Sequence, residues 1–219
     1  MKNSSISSAA PERRLAGALV LAALFAALVA PPASAGKKIK DFDRELLIQP
    51  FLGPGYAEWL IGPIARIADK DEVDAYLRLG TDAEAEAFID QFWAKRDPDP
   101  AKPGNPVREL YDERAAEADK LYSEGQVHGR NTDRGTLYVL YGPPDEVDYD
   151  IAQWRGGPPL TLWKYPKGAE KGLDGERPAK LYRLIHLGDL TEFYDDRVRQ
   201  RELRKQPFRP DFRDDTGFF

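Results

Sequence analysis

The chain contains no cysteine and few of the other residues that enzymes use as nucleophiles or metal ligands. Beyond residue 35 it has one serine, Ser123, two histidines, His128 and His186, and no methionine. Without cysteine, neither a disulfide scaffold nor a lipid-modified cysteine anchor can form. A nucleophilic triad needs a buttressed serine or cysteine beside a histidine base, and zinc needs clustered His and Cys ligands. We therefore expect no metal and no cofactor.

Nucleotide-binding patterns are missing as well. The sequence has no G-x-x-x-x-G-K-[ST] loop, and the stretch GPGYAE at Gly53 has Glu58 where a dinucleotide-binding loop has its third glycine. The acids of residues 145–150 lack the glycine and distant glutamate of a calcium loop. The chemistry that remains open uses paired carboxylates, as in glycoside hydrolases, or an all-oxygen metal site.

The first 35 residues have the form of a secretory signal. Basic residues at Lys2, Arg13 and Arg14 precede an apolar run at 15–30, and Ala33-Ser34-Ala35 forms a small-x-small cleavage site. The apolar run is shorter than the about 20 residues that a spanning helix needs. We expect cleavage after the last of these residues, and hence a periplasmic or extracellular protein that does not span the membrane.

The charge of the remaining chain limits its partners. From residue 36 onward there are 29 Lys and Arg against 36 Asp and Glu, a net charge of −7. This balance argues against nucleic acid and against an anionic membrane surface as partner. An envelope protein or a glycan is the expected partner.

The first half of the chain has helical patterns. Residues 36–68 are broken by prolines and predict an extended segment with short helical turns. Thr81 and Glu84 have the spacing of a capping box. The helix that they open has a core-facing stripe, and Asn105 followed by Pro106 predicts a long helix that ends at Gly125. The stripe consists of Ala85, Phe88, Ile89, Phe92 and Trp93.

The second half of the chain has strand patterns. TLYVLY, residues 136–141, predicts a central strand, and EVDYDI predicts a strand with Val147, Tyr149 and Ile151 facing inward. LTLWKY, AKLYRLIHL and LTEFY predict three more strands, and RVRQRELRK predicts an exposed helix. We therefore predict an α+β fold in which N-terminal helices pack on a small, mainly antiparallel sheet. Its domain would cover residues 69–195, with a charged tail at 196–219.

Several of these stretches resemble the GWxTD domain family of exported bacterial proteins. The family's Phe-Trp-x-x-Arg-Asp-Pro signature is present from Phe92 to Pro98, and an Asn-headed helix follows. Thr-Asp-Arg-Gly, an apolar run, Gly-x-Pro-Asp and LWKYP then occur in the family's order. The resemblance covers about residues 69–190. It implies the compartment and the architecture but no established activity.

One position departs from the family pattern. The family's Gly-Trp-x-Thr-Asp is present here as Gly129-Arg130-Asn131-Thr132-Asp133, with Arg130 in place of the tryptophan. The motif residues and their neighbours are the candidate binding residues of this chain. They are Arg96, Asp97, Asn105, Thr132, Asp133, Arg134, Gly135, Gly142, Pro144 and Asp145.

Three interpretations of the stretch NTDRGTLYVLYGPP remain open. In the first, which we favour, its polar residues form turns, and Asp133 bonds amides of its own turn or pairs with Arg96 or Arg134. In the second, the turns at Asp133, at Asp145 and after Arg96 gather around one concave binding site. In the third, Asp133 and Asp145 act as a catalytic carboxylate pair. No catalytic residue is assigned.

The function expected from the sequence is therefore a non-catalytic binding or structural module of the bacterial cell envelope. The alternative is a carboxylate-dependent envelope enzyme that acts on a glycan. The distance between the two carboxylates and their access to a cleft would distinguish these two functions.

Overall fold

A computed structural model describes residues 44–205, all of which fall in one compact unit. The predicted signal at 1–35, the start of the predicted extended segment at 36–43 and the end of the predicted tail at 206–219 lie outside the described residues. Within residues 44–205 the chain forms seven α-helices and four strands. The helices are α1 (Pro54–Ala57), α2 (Pro63–Ile67), α3 (Lys70–Tyr76), α4 (Asp82–Ala94), α5 (Pro106–Leu121), α6 (Asp133–Tyr141) and α7 (Asp196–Lys205). The strands are β1 (Glu146–Asp150), β2 (Leu160–Lys164), β3 (Leu181–Leu187) and β4 (Leu190–Phe193).

The strands form one antiparallel sheet in the order β1-β2-β3-β4. Residues directly opposite each other share a face of the sheet, so Trp163 and Leu184 lie on the face that packs against the helices. On the other face, Leu160 and Ile185 form a smaller cluster with Val198 of α7. The prediction of an α+β fold with an antiparallel sheet is confirmed.

A single core joins the helices to the sheet. It contains Leu60 and Ile64 from the segment before residue 69 as well as Trp163 and Leu184 from the strands. Helix α5 spans the distance between the two halves of this core: Tyr111 contacts the ring of Trp93 at 4.9 Å between centroids, and Tyr122, directly after α5, contacts Trp163 at 5.5 Å. Residues on both sides of position 69 therefore contribute to the same apolar interior.

The predicted helix starts are confirmed. Thr81 and Glu84 form a reciprocal capping box at α4. The Asn105 side chain accepts hydrogen bonds from the backbone amides of Val107 and Arg108 at α5, both at 3.1 Å. Helix α5 ends at Leu121, four residues before the predicted stop, because Tyr122, with φ of −130°, has left helical geometry. Gly125, with φ of +56°, belongs to the connection that follows.

The prediction of a strand at residues 136–141 is wrong, because these residues lie in helix α6. Its N-cap is Thr132, whose hydroxyl oxygen accepts from the Gly135 amide at 3.0 Å, and its C-terminus is at Gly142, with φ of +80°. Residues 135–140 are all buried, since α6 packs against α2, α5 and β4. The apolar side chains that suggested a two-faced central strand instead surround a short helix inside the core.

The sequence correctly predicted which side chains of β1 lie on the helix-facing side of the sheet. The predicted burial of these side chains is wrong. Val147 lies opposite Trp163, on the helix-facing side of the sheet, yet all five residues of β1 are exposed. Tyr149 and Ile151 are 68% and 79% exposed. Trp163 of β2 is buried whereas Val147, directly opposite it, is 48% exposed, so the cover on this face of the sheet ends between β2 and β1.

The predicted helix near the C-terminus is confirmed as α7, which rests on the sheet through the single buried residue Val198. Across residues 44–205, none of the helices combines the length and the apolar character required to cross a bilayer.

Candidate functional site

The outer edge of β4 is closed by two carboxylates. Asp133, the first residue of α6, accepts a hydrogen bond from the Phe193 amide through Oδ2 at 2.7 Å. Glu124, which is buried, accepts one from the Thr191 amide through Oε2 at 2.6 Å. Thr191 and Phe193 are two positions apart, so both amides point away from β3. The two carboxylates therefore satisfy the donors that a further strand would otherwise use.

This arrangement corrects the partners expected for Asp133. Its carboxylate bonds neither its own turn nor Arg96 or Arg134, but an amide 60 positions away. Thr132 makes the hydrogen bonds that were expected from Asp133 within this turn, because it caps α6 and donates to the Gly129 carbonyl at 2.8 Å. Arg134 pairs instead with Glu124.

A cavity of about 500 Å³ adjoins Asp133. Its lining includes four arginines and four acids, and several of these side chains have hydrogen-bond partners. Arg201 donates to Glu192 at 2.8 Å, and Arg44 donates to the Asn131 carbonyl. The charged lining residues are Arg44, Arg66, Arg197, Arg201, Glu124, Asp133, Glu192 and Asp195.

Burial raises the pKa of Asp133 above its ordinary value, and the nearby charge of Glu192 raises it further. The hydrogen bond from the Phe193 amide and the charges of Arg44 and Arg66 oppose this shift. A carboxyl with a raised pKa beside a cavity is a candidate for proton transfer. The same carboxyl, however, is held by the backbone of β4, which is a structural use.

The residues around Arg96 form a separate, structural cluster. The Arg96 guanidinium binds both carboxylate oxygens of Glu72, at 3.1 and 2.6 Å, and lies 3.5 Å from the ring centre of Phe92.

Asp97 accepts a hydrogen bond from the Asp99 amide at 3.0 Å. Asn105 caps α5 and donates to the Trp93 carbonyl at 2.7 Å. None of the three predicted residues in this cluster lines the cavity beside Asp133.

Gly142, Pro144 and Asp145 lie at the other end of α6. The Gly142 carbonyl accepts from the Tyr165 hydroxyl at 3.0 Å, and Asp145 is exposed at the start of β1. Because β1 and β4 are opposite edges of the sheet, three strand spacings separate them, which is about 14 Å. Asp133 and Asp145 are therefore too far apart for the about 5–9.5 Å of a glycosidase pair. Of the ten candidate binding residues, Thr132 and Asp133 line the cavity beside Asp133.

The family motif has a packing role at the junction of α5 and α6. A Cβ atom on Gly129 would lie 1.9 Å from the Ala118 carbonyl oxygen, and one on Gly135 would lie 1.8 Å from the Gly129 carbonyl oxygen. Only glycine fits either position without moving backbone. Arg130, at the tryptophan position of the family, binds Asp119 of α5 at 2.6 Å. The motif thus fixes the 3-10 turn at 129–131 between two helices.

The sequence patterns did not predict that β1 forms an unpaired edge of the sheet. In the part of the chain that the structure describes, no further strand pairs with β1. The amide of Tyr149 in β1 and that of Ile151, just past the strand, donate to the side chains of the preceding aspartates, Asp148 and Asp150, both at 2.8 Å. They therefore point away from β2. The alternation of apolar and acidic residues is visible in EVDYDI. The exposure of this strand, however, depends on where the helices that cover the sheet end.

The described residues contain no group of three or more His, Cys, Asp or Glu side chains arranged to hold a metal ion. No curated protein and no solved structure matches the chain. The family model described as the GWxTD domain matches residues 51–170, more than half of the 219 residues. The match extends from α1 through the capped α4 and α5 and the Gly129–Asp133 motif to the strands β1 and β2. The chain therefore belongs to the GWxTD domain family.

Proposed function

We propose that this protein is an exported, non-catalytic binding module of the bacterial cell envelope, and that it binds another polypeptide along β1. Export is supported by the signal-like sequence of residues 1–35. The observation that carries the binding role is the contrast between the two edges of the sheet. The β4 edge is closed by Asp133 and Glu124, whereas the β1 edge is exposed and bears apolar side chains.

An exposed edge strand is a natural site for the addition of another strand. Natural proteins usually cover or blunt such edges, because they also promote aggregation. Here Val147, Tyr149 and Ile151 add apolar contact area on one face of the edge. Backbone pairing would supply affinity and these side chains would supply specificity, as in other cases of strand addition.

Several carboxylates of the fold have structural hydrogen-bond partners, and this supports a non-catalytic role. Asp133 and Glu124 hold β4, and Glu72 holds Arg96. A carboxylate with a fixed structural partner is less available as a general acid or nucleophile than one that faces a cleft.

Photo-crosslinking along the edge strand tests this proposal. A photoreactive residue at Tyr149 should capture a polypeptide in cells, and one at Phe51, which is 81% exposed outside the sheet, should not. Tyr149→Pro should abolish capture from a photoreactive residue at Val147, because it removes an outward amide without affecting the bonds to β2. Equal capture at Tyr149 and Phe51, or capture unaffected by the proline, would contradict binding through β1. Export itself predicts that the secreted protein begins at Gly36, which N-terminal sequencing determines.

Glycan hydrolysis by carboxylates is the second candidate function. The observation that favours it is the raised pKa of Asp133 beside a cavity of about 500 Å³, with Glu192 in the lining. If it is correct, the purified protein should release reducing ends from envelope glycan, and Glu192→Gln should abolish release while thermal stability is retained. Absence of release by the folded wild-type protein would exclude this function.

A further inference from the structure

We infer that the partner bound along β1 is an extended segment of a different polypeptide in which Lys or Arg alternates with apolar residues. This inference rests on the proposed function and adds the chemistry of the partner. It is carried by the side-chain arrangement of β1 and by the way in which its outward amides are occupied.

The two faces of β1 make different demands on a neighbouring strand. Val147 and Tyr149 lie on the helix-facing side, followed by Ile151 just past the strand, and all three are at least 48% exposed. Glu146, Asp148 and Asp150 occupy the opposite side. Residues directly opposite in an added strand share these faces. A matching strand therefore needs apolar residues at one set of alternate positions and cations at the other.

The outward amides show what a partner must displace. Asp148 Oδ1 accepts from the Tyr149 amide and Asp150 Oδ1 accepts from the Ile151 amide, both at 2.8 Å. These carboxylate oxygens occupy the positions that the carbonyl oxygens of an added strand would take. When a partner carbonyl displaces them, the two carboxylates lose a donor, and a cation on the partner would replace it.

The net charge of the edge favours a cationic partner. Lys164, on β2, donates to both Glu146 and Asp148 at 3.0 Å. The three carboxylates of β1 and this one ammonium group carry a net charge of −2. Like charges directly opposite each other in a sheet are destabilising, and opposite charges are stabilising. An acidic partner strand is therefore disfavoured.

The same charges disfavour a second copy of this chain. If two β1 strands paired antiparallel about a twofold axis at Asp148, this residue would face its own counterpart and Glu146 would face Asp150. Any antiparallel register that keeps the two faces of the sheet places acids opposite acids, because side chains alternate with period two. Charged side chains at an exposed edge are a known means of preventing edge-to-edge association.

Peptide binding to the purified protein tests the inference. We compare three nine-residue peptides: one that alternates Lys and Val, one that alternates Glu and Val, and one with the composition of the first but with its lysines in one block. The alternating Lys peptide should bind at least about tenfold more tightly than either other peptide. It should also slow hydrogen exchange at the amides of Tyr149 and Ile151.

Two variants locate the effect. Asp148→Asn/Asp150→Asn should weaken binding of the alternating Lys peptide by about tenfold, whereas Asp71→Asn/Asp74→Asn on α3 should leave it unchanged. The neutralised β1 variant should also self-associate more than the wild type in sedimentation experiments, since the repulsion between two copies is reduced.

The outcomes separate the inference from the proposed function. Equal binding of the block and alternating Lys peptides, or a wild-type dimer paired through β1, would overturn the inference. Tighter binding of the Glu peptide, with protection of the Tyr149 amide, would overturn the cationic partner but support binding along β1. If no peptide protects that amide and photo-crosslinking at Tyr149 captures no polypeptide, the proposed function itself is wrong.

Discussion

At the scale of single residues, the contact between Arg96 and Glu72 shows how a signature residue can be structural. The Glu72 carboxylate accepts hydrogen bonds from both terminal guanidinium nitrogens of Arg96, from the Lys95 ammonium at 2.9 Å and from the Asp69 amide at 2.9 Å. One carboxylate thus joins the start of α3 to the end of α4. The Phe-Trp-x-x-Arg-Asp-Pro signature supplies both the arginine and the aromatic ring beneath it.

This contact gives a prediction for the dependence of stability on pH. Burial alone would raise the pKa of Glu72, but the hydrogen bonds from Arg96 and Lys95 outweigh it, and the pKa lies below its ordinary value. The stabilisation is therefore fully present above about pH 4.3, the pKa of an unperturbed glutamate, and is lost as the pH falls through the lower pKa of the folded state. Glu72→Gln should lower the free energy of unfolding by about 1–3 kcal/mol at pH 7.

Denaturant unfolding at pH 7 and at pH 3 measures this difference, which should shrink at the lower pH. Asp74→Asn is the matched control, because Asp74 lies on the same helix but forms an exposed pair with Lys70. Exposed pairs of this kind contribute little. A loss of stability in Glu72→Gln that is the same at both pH values would contradict the assigned role of the charge.

At the scale of elements, the two carboxylates on β4 determine which edge of the sheet remains open. Asp133→Ala removes the acceptor of the Phe193 amide and should lower the free energy of unfolding by about 1–3 kcal/mol, the usual cost of an unsatisfied buried donor. Asp133→Asn should cost less, because it retains an acceptor oxygen and does not bury a charge.

The pH dependence of the Asp133 contribution has the opposite sign to that of Glu72. Burial raises the pKa of Asp133, so the folded state binds a proton more tightly than the unfolded state. Its contribution is fully present below the unfolded pKa and is lost as the pH rises through the folded pKa. The stability of the wild type relative to Asp133→Asn should thus increase as the pH is lowered towards about 4. Equal stability of the alanine variant and the wild type at pH 7 would show that the β4 contact is dispensable.

The elements also show what the sequence could predict. The capped helices α4 and α5 and the strands β2 to β4 follow from local patterns, because capping residues and alternation are read over a few positions. Helix α6 was missed because a short run that is apolar on every side looks the same as a buried strand. Its two end signals, Thr132 and Gly142, are nevertheless present, ten positions apart, as expected for a nine-residue helix.

The candidate site was harder to predict than the fold, for a physical reason. The partner of Asp133 is an amide 60 positions away, and the partner of Glu124 is 67 positions away. A backbone amide leaves no residue-specific signal in the sequence. The alternation in β1 correctly separated the two faces of the strand, but its exposure is decided by how far the helical layer extends over the sheet.

At the scale of the whole molecule, α5 connects the helical half to the sheet through Tyr111 at one end and Tyr122 just beyond the other. Trp93 belongs to the helical half and Trp163 to the sheet, and each is 3% exposed. If the interior is one cooperative unit, Trp93→Ala and Trp163→Ala should each lower the free energy of unfolding by about 3–5 kcal/mol.

Both variants should also retain a single unfolding transition, seen at the same midpoint by far-ultraviolet circular dichroism and by tryptophan fluorescence. A loss of this size is comparable to the whole stability of a marginal domain. Phe51→Ala is the control, because this ring is 81% exposed and its removal should change the midpoint little. Two separate transitions in Trp163→Ala, or a proteolytic fragment beginning near Gly125 that unfolds cooperatively on its own, would show that the sheet folds without the helices. The edge strand would then be carried by an independent unit, and its binding would survive the loss of α1 to α5.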